Sequence, residues 1–478
     1  MSGVLPVVPL PDDPNLEQLK KQAKDYQHEV RATEDESFKL SAAQLAIARR
    51  YGFVSWARLR RHLEVVERYS RAPDRVERGA TAEGEFLRLA CLSYGGGDGP
   101  DGWTAARELV ATLPRDNIYV AAAIADADAT RELLAADRAL AEREGGPFAW
   151  TPLFYLAYAR HDAGISEGAV LDTARALLAA GADPNAGYLW HGLPTPFTVL
   201  TGVFGGGELG PERQPHHPHA QALARALLDA GADPNDGQTL YNRMFERAND
   251  HLELLFAYGL GTGDGGVWRA RLGDRLDAPP VMVHNQLRWA INHDMPERVE
   301  LVLTHDTNVN APLADGRTPI ETALLHGNTG IIDTLIAHGA ALPDLDPVDT
   351  LVAAAMRGDR TTAMSLREHA AAARERRPSL IVHAAGSGRP DAVALLHELG
   401  FDVNALGRSD VPIEQPRETA LHVAAGDGDV ELTRVLLALG ADPDIRDARF
   451  DATPLGWAEH FGHARVMHIL SPEATADT

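Results

Sequence analysis

The sequence has 478 residues, of which 45% are hydrophobic and 24% charged, and its formal net charge is −23. This length exceeds that of most single-core domains, so it predicts several globular domains or one elongated array. The composition excludes a disordered chain, and no apolar run is long enough to predict a membrane span.

Cysteine usage and the first residues predict a location. Cys91 is the single cysteine, which excludes an internal disulfide and favours a reducing compartment. The opening MSGVLPVVPLP has no basic segment and contains three prolines, so it does not predict a signal peptide. We therefore expect a cytoplasmic protein.

Charge is distributed unevenly along the chain. Residues 15–71 carry 12 basic and 8 acidic side chains, whereas residues 1–14 carry a charge of −2 and the rest of the chain carries −25. Such an acidic body repels phosphate backbones. Solubility or a basic partner is expected rather than nucleic acid.

Residues 1–14 are expected to form a flexible tail, and residues 15–75 a small helical module. Leu19 and Ala23 share one face of a predicted helix, and a second helix is predicted to begin at Ser41. The module is expected to be a solvated cap for the elements that follow. The alternative is a nucleic-acid-binding or regulatory module that uses its arginines Arg49, Arg50, Arg58, Arg60 and Arg61.

From Glu85 onward the pattern changes to pairs of short helices. Residues 86–90 and 106–110 predict a first hairpin, joined by the glycine-rich stretch 95–99. That stretch follows no β-type run and precedes no Gly-Lys-Ser or Gly-Lys-Thr. We therefore interpret it as a flexible connection and not as a phosphate-binding loop.

Two better-marked units open at Thr151 and Thr195 and end with Gly-Ala-Asp-Pro-Asn at Gly181 and Gly231. Regular units further on need 21 residues from the opening to the closing Gly, whereas these two need 30 and 36. The excess predicts insertions, which often carry function in repeat proteins. The predicted insertions lie near residues 160–168, 205–219, 260–280 and 407–417.

The most regular unit covers residues 418–441. Thr419 opens a short helix, a tight break follows, and a second helix carries an apolar stripe that ends at Gly440, a position suited to positive φ. Two short helices cannot bury such a stripe alone, so the unit needs stacked neighbours. The same spacing of 21 residues joins Thr318 to Gly339 and Ser379 to Gly400.

This unit resembles the ankyrin repeat, which has a Thr-Pro-Leu-His-x-Ala opening, a second helix and a Gly-Ala-Asp ending, recurring every ~33 residues. The matching positions are Thr419, Leu421, His422, Ala424, Ala425, Leu436, Leu437, Gly440, Ala441 and Asp442. The resemblance implies an all-α solenoid of about ten helix-turn-helix repeats with inserted loops over residues 80–478. The preceding module resembles a helical segment found ahead of ankyrin repeats in some bacterial proteins.

The resemblance also implies that a protein or peptide binds the finger tips and first helices of the repeats. Aromatic side chains and Arg lead at interface hot spots. The partner-binding candidates are Phe154, Tyr155, Tyr158, Tyr188, Trp190, His191, Tyr241, Phe245, Arg288 and Trp289. The alternative is that most of them pack between irregular repeats. At Phe154, Glu321 and Gly456 the chain lacks the family's His, so the usual turn hydrogen bond has no evident partner there.

No motif predicts a catalytic residue or a cofactor. Cys91 lies on an apolar helix and is expected to be buried. His216, His217 and His219 are weak candidates for zinc, but their loop is rich in Pro and Gly and has no nearby Cys, which favours a polar exposed loop over a metal site.

The expected function is a cytoplasmic scaffold that binds a protein or peptide on the concave and finger surface of the repeats. The alternative is an enzyme acting on a peptide or small molecule, in a pocket formed by the insertions 205–219 and 260–280 against the aromatic repeats. A deep closed pocket would favour the enzyme, and an open groove the scaffold.

Overall fold

A computed structural model describes residues 6–471, except 12, 13, 34, 163, 306, 314 and 410–413. The described residues fall into two compact units, divided between Met282 and Val283. Helices account for 58% of the structure and strands for 3%. The expected all-α class is therefore confirmed.

The first unit begins with three helices, α1 (Leu16–Thr33), α2 (Leu40–Arg50) and α3 (Trp56–Tyr69). Leu19, Ile47 and Leu59 are buried in their common core. Val8 packs against this core, and its N–H donates a hydrogen bond to the Arg50 carbonyl at 2.7 Å. Val8 thus lies against the module, within the stretch where the sequence predicted a flexible tail.

The later helices of the first unit form layered pairs. They are α4 (Ala82–Ala90), α5 (Pro100–Leu109), α6 (Ile118–Ala123), α7 (Ala127–Ala136), α8 (Pro152–Tyr158), α9 (Glu167–Ala180), α10 (Val199–Phe204), α11 (Gly210–Arg213), α12 (Ala220–Asp229), α13 (Gly237–Met244), α14 (Asp250–Ala257) and α15 (Gly266–Leu272). The helices α6, α8 and α10 pack on one another in order, and so do α7, α9, α12 and α14. This is the packing expected of stacked helix pairs.

A small sheet, which the sequence did not predict, joins the N-terminal module to the repeats of the first unit. Its strands are β1 (Ser70–Arg71), β2 (Gly187–Trp190) and β3 (Pro196–Thr198). β1 pairs in parallel with β2, and β2 pairs antiparallel with β3, where Tyr188 lies opposite Phe197. The finger before α10 is therefore a hairpin whose edge is covered by the chain that leaves α3.

The insertions of the first unit have defined structure. Residues 205–219 contain α11, and residues 260–280 contain α15, which packs against α3. The glycine-rich loop 95–99, expected to be a flexible connection, is closed by hydrogen bonds instead. The buried Asp98 carboxylate accepts a hydrogen bond from the Ser93 N–H at 3.1 Å, and Arg213 Nη2 donates to the Gly96 carbonyl at 2.6 Å.

Helix α16 (Pro279–Asn292) spans the division between the units, and further helix pairs build the second unit. They are α17 (Pro296–Leu303), α18 (Pro319–His326), α19 (Thr329–Ala337), α20 (Pro347–Met356), α21 (Arg360–Ser365), α22 (Ala370–Arg376), α23 (Leu380–Gly386), α24 (Pro390–Glu398), α25 (Ala420–Gly426), α26 (Val430–Ala438), α27 (Pro454–His460) and α28 (Ala464–Leu470). Leu351, Ile381 and Leu421 are buried in one core. Gly440, after α26, has φ of +90° as predicted.

Glu321 replaces the expected histidine at the start of α18. Its carboxylate accepts a hydrogen bond from the Thr318 N–H at 2.6 Å, while Thr318 Oγ1 accepts one from the Glu321 N–H at 3.3 Å. In α25 the imidazole of His422 makes the same bond to the Thr419 N–H, at 3.2 Å. The hydrogen bond that the family's histidine makes in this turn is therefore present at Glu321. The Glu321 carboxylate is long enough to accept it from the Thr318 N–H, as the His422 imidazole accepts it from the Thr419 N–H.

An asparagine near the end of several repeats ties that repeat to the next. Asn185 Nδ2 donates to the Gly231 carbonyl at 2.8 Å, and Asn185 Oδ1 accepts from the Asp233 N–H at 2.8 Å. In the second unit, Asn310 and Asn404 make equivalent pairs of bonds. Each asparagine therefore satisfies a helix-end carbonyl and an amide of the following repeat.

Replacing Asn185 by Ala is expected to lower the free energy of unfolding by about 1–2 kcal/mol, because two backbone groups lose their partner. Asn185→Asp keeps the acceptor but puts a carboxylate oxygen against the Gly231 carbonyl, so it is expected to be no more stable than Asn185→Ala. Urea unfolding of the three proteins measures the difference. A wild-type midpoint for Asn185→Ala would contradict the structural role of these side chains.

Candidate functional site

Four of the predicted partner-binding aromatics are buried. Phe154, Tyr155, Tyr158 and Tyr188 are each at most 3% exposed. They pack against one another and against Trp150, and the Trp150 and Tyr188 rings stack with their centres 5.6 Å apart. Tyr155 and Tyr158 do not line the cleft that Trp150, Phe154 and Tyr188 form, and they are not accessible to a partner.

Trp190 and His191 lie at the tip of the β2–β3 hairpin, and both are partly buried. The His191 N–H donates to the Arg71 carbonyl at 2.9 Å, and His191 Nε2 lies 2.7 Å from Asp74 Oδ1. The finger residues therefore hold the segment after α3 in place.

Two predicted residues form an exposed apolar pair on α13. Tyr241 and Phe245 are 40% and 37% exposed, and their rings meet edge to face with centres 5.4 Å apart. The Tyr241 hydroxyl bonds to the Glu208 carboxylate, next to Leu209, whose side chain is also exposed. This pair is accessible to a partner, and neither residue lines the cleft that Trp150, Phe154 and Tyr188 form.

The last two candidates belong to the second unit. Arg288 is exposed on α16, while Trp289 is partly buried and stacks on His293 with ring centres 3.7 Å apart.

The structure does bring Phe154 and Tyr188 together in a cleft of about 320 Å³ within the first unit. We call it the aromatic cleft. It is lined mainly by Trp150, Phe154, Tyr188, Tyr69, Arg68, Arg71, Arg271, Glu142, Glu144 and Asp183. Its size falls in the range of pockets that hold a small molecule or a side chain of a peptide.

A short hairpin places Trp150 in the floor of the aromatic cleft. Gly145 and Trp150 exchange backbone hydrogen bonds of 3.0 and 3.1 Å. The Tyr155 hydroxyl donates to the Gly145 carbonyl at 2.8 Å and accepts from the Phe148 N–H at 3.3 Å. Gly146 has φ of +67°, and a Cβ there would lie 2.3 Å from the Tyr155 hydroxyl. Tyr155 is therefore a positioning residue for the hairpin.

The floor is apolar apart from two buried polar groups, the indole N–H of Trp150 and the hydroxyl of Tyr188. Neither has a hydrogen-bond partner within the described part of the chain. Burial also raises the pKa of Tyr188 well above its usual value, so its hydroxyl stays neutral. An occupant of the cleft therefore meets aromatic rings and no formal charge at the floor.

The rim carries charges of both signs. Glu144 accepts hydrogen bonds from Arg68 Nη2 at 2.9 Å and from Arg71 Nη2 at 3.0 Å, and it raises the pKa of Arg68. Arg271, from the insertion 260–280, lies with its guanidinium carbon 4.7 Å from the ring centre of Tyr69. The arginines are thus held in place, and Glu144 neutralises two of them in part.

Sequence reasoning missed most of the rim. Trp150 is not among the predicted partner-binding residues, and Tyr69, Arg68 and Arg71 belong to the module that we interpreted as a cap. The available signal was the aromatic pair of Trp150 and Phe154 at helical spacing. Nothing local to residues 68–71 predicts that this segment reaches Tyr188.

The histidine-rich segment is not the polar exposed loop that we expected. His217 is 5% exposed, and burial lowers its pKa well below the usual value. His216 Nε2 lies 2.8 Å from Glu246 Oε1, and His219 Nε2 lies 2.6 Å from the Ile165 carbonyl. Each ring thus has its own partner in the fold, and among described residues no group of three or more His, Cys, Asp or Glu is arranged to hold a metal ion.

Two further findings bear on the class of protein. Of the helices in the described ranges, none has the length and apolarity that a membrane crossing requires. Residues 382–478 match the family model of ankyrin repeats, in three copies.

Proposed function

This chain is an ankyrin-repeat protein, and we propose that it binds a segment of a partner protein in the aromatic cleft. Ankyrin repeats generally mediate protein–protein interactions and are generally not enzymes. The observation that carries the proposal is a cavity of about 320 Å³ whose floor is aromatic and whose rim is charged.

The chemistry of the cleft favours an apolar anchor side chain on the partner. Trp150, Phe154 and Tyr188 are each at most 3% exposed and form an apolar base, so an apolar side chain seated on them would be removed from water. Arg68 and Arg71 both form ion pairs with Glu144, which neutralises part of their charge. The rim therefore orients polar groups of the partner without selecting strongly for an acidic partner segment.

The exposed pair of Tyr241 and Phe245 is a second predicted contact surface. It lies outside the aromatic cleft, and fully buried central anchors carry most interface energy. We therefore place the main contact in the aromatic cleft and expect Tyr241→Ala to change affinity by less than about threefold.

The test is peptide selection on the full-length protein followed by affinity measurement. Glu142 is exposed and lines the cleft with an ordinary backbone φ of −111°, so Glu142→Trp fills the mouth without removing a buried contact. It is expected to weaken the selected peptides by at least about tenfold, as loss of one anchor does. The matched control is Glu132→Trp, which removes the same charge and adds the same ring on the exposed face of α7, and it is expected to bind like wild type. Equal affinities for both variants would overturn the proposal.

The alternative proposal is an enzyme that acts on a peptide or small molecule in the same cleft. Arg271 comes from one of the two insertions that the sequence analysis assigned to such a pocket, whereas the insertion 205–219 does not line it. Mass spectrometry of peptides recovered from the binding assay separates the two proposals. Unchanged peptides favour binding alone, and cleaved or modified peptides favour the enzyme.

A further inference from the structure

A second pocket in the first unit is basic, although the chain carries a net charge of −23. It lies between α3 and the turn Gly273–Arg275 and has a volume of about 120 Å³. Its arginines are Arg58 and Arg61 from α3 with Arg271 and Arg275 from the insertion 260–280. Asp274 also lines the pocket, yet within the described ranges none of these four arginines forms an ion pair.

Three of the arginines are fixed in place by neutral groups. Arg61 and Arg275 each donate one hydrogen bond to a backbone carbonyl, at 3.2 and 3.0 Å. The guanidinium carbon of Arg271 lies 4.7 Å from the ring centre of Trp268. Each guanidinium has five N–H donors, so most donors of Arg61 and Arg275 are left for a ligand. The positive charges are thus preorganised and not neutralised.

His62 supplies an independent observation. It lines the same pocket and is 6% exposed, and its Nδ1 has no hydrogen-bond partner among the residues described. Buried polar atoms normally have a partner, because leaving one unsatisfied costs about 1–3 kcal/mol. Burial and the nearby Arg275 lower the pKa of His62 to about 4, so the ring is neutral at pH 7. The ring therefore adds no charge to the pocket, and the arginines carry its positive charge.

We propose that this pocket binds a phosphate monoester group, carried either by a phosphorylated side chain or by a free phosphorylated metabolite. Guanidinium groups bind phosphate through paired N–H···O bonds, and several of them together match its double negative charge. About 120 Å³ corresponds to about four water volumes, which accommodates a phosphate group. Arg271 also lines the aromatic cleft, so the bound group would lie beside that cleft.

Arg58→Gln is the cleanest test of the pocket. The Arg58 side chain makes no hydrogen bond or ion pair to the described residues, so its removal leaves the fold intact. The control is Arg60→Gln on the same helix, where the side chain is exposed and pairs with Glu64 at 3.4 Å, outside the pocket. Both changes remove one positive charge, so they weaken the long-range electrostatic attraction of an anion to a similar degree.

Calorimetric titration of the full-length protein at constant ionic strength would use inorganic phosphate, glycerol 3-phosphate and N-acetyl-phosphoserine amide. We expect saturable binding that Arg58→Gln weakens by about tenfold and Arg60→Gln leaves unchanged. Tighter binding of the phosphoserine compound identifies a phosphorylated protein as the source, and tighter binding of glycerol 3-phosphate identifies a metabolite. No saturable binding of any probe, or equal weakening by both variants, would overturn the proposal.

Discussion

Lowering the pH from 7 to 5 is expected to reduce the free energy of unfolding by several kcal/mol, because several histidines are buried in their neutral form. Burial lowers the pKa values of His62, His161 and His383 to about 4, from 6.5 in the unfolded chain. Between these values the unfolded chain binds protons that the folded chain does not. The stability is thus fully present above pH 6.5 and is lost as the pH falls toward 4. At pH 5 each histidine accounts for about 2 kcal/mol of the loss.

Urea unfolding at pH 7, 6 and 5, at constant ionic strength, measures this loss. His383 packs against His326 with ring centres 4.3 Å apart, and burial also lowers the pKa of His326. His383→Leu is expected to reduce the difference between pH 7 and pH 5 by about 2 kcal/mol. The control His460→Gln changes an exposed histidine and is expected to keep the wild-type profile. A stability that does not change from pH 7 to 5 would contradict the burial of these rings.

Replacing Arg160 is expected to have the second large effect. This side chain is 7% exposed, and its guanidinium donates hydrogen bonds to four carbonyl groups. Three of the bonds measure 2.9 Å to Pro215, 3.0 Å to Ala157 and 2.9 Å to Ala159, and the fourth is to Gly202 at 2.5 Å. Burial lowers the pKa of Arg160 to about 10, so the group is still charged at pH 7. It therefore ties the end of α8 to α10 and to the insertion 205–219.

Arg160→Met is expected to lower the free energy of unfolding by at least about 3 kcal/mol, because buried carbonyl oxygens lose their donors. Arg160→Lys keeps the charge but has three donors on one atom, so it is expected to fall between Met and wild type. Arg131→Met is the control, since Arg131 is exposed on α7 and its pairs with Asp128 and Asp172 are solvated. Chemical unfolding monitored by circular dichroism ranks the variants. Similar stabilities for Arg160→Met and Arg131→Met would show that the carbonyl network contributes little.

The repeats were predictable from the sequence because the interactions that form each helix and turn lie within one repeat. The period of the apolar stripe, the caps such as Thr419, and the glycine with positive φ at Gly440 all depend on residues within one unit. The residues of one regular unit therefore predict the helices and turns of the others. Glu321 shows the limit of this reasoning, since the pattern expects His but the turn needs only an acceptor of suitable reach.

The aromatic cleft was not predictable to the same degree, because it depends on contacts between distant segments. β1 has two residues and no pattern of its own, yet it pairs with β2 more than a hundred positions later. Trp150 lines the cleft because the hairpin that carries it is anchored by Tyr155. The sequence therefore predicted several of the aromatic residues involved, whereas their burial and the charged rim depend on the tertiary fold.

Hydrogen exchange with and without a bound peptide tests the central claim most directly. The full-length protein would be measured alone and with the tightest peptide from selection on wild type. Binding in the aromatic cleft predicts slower exchange in residues 142–151 and 187–191, on either side of Trp150 and Tyr188. Slower exchange confined to α13, around Tyr241, with both cleft segments unchanged, would contradict the claim that the cleft is the binding surface.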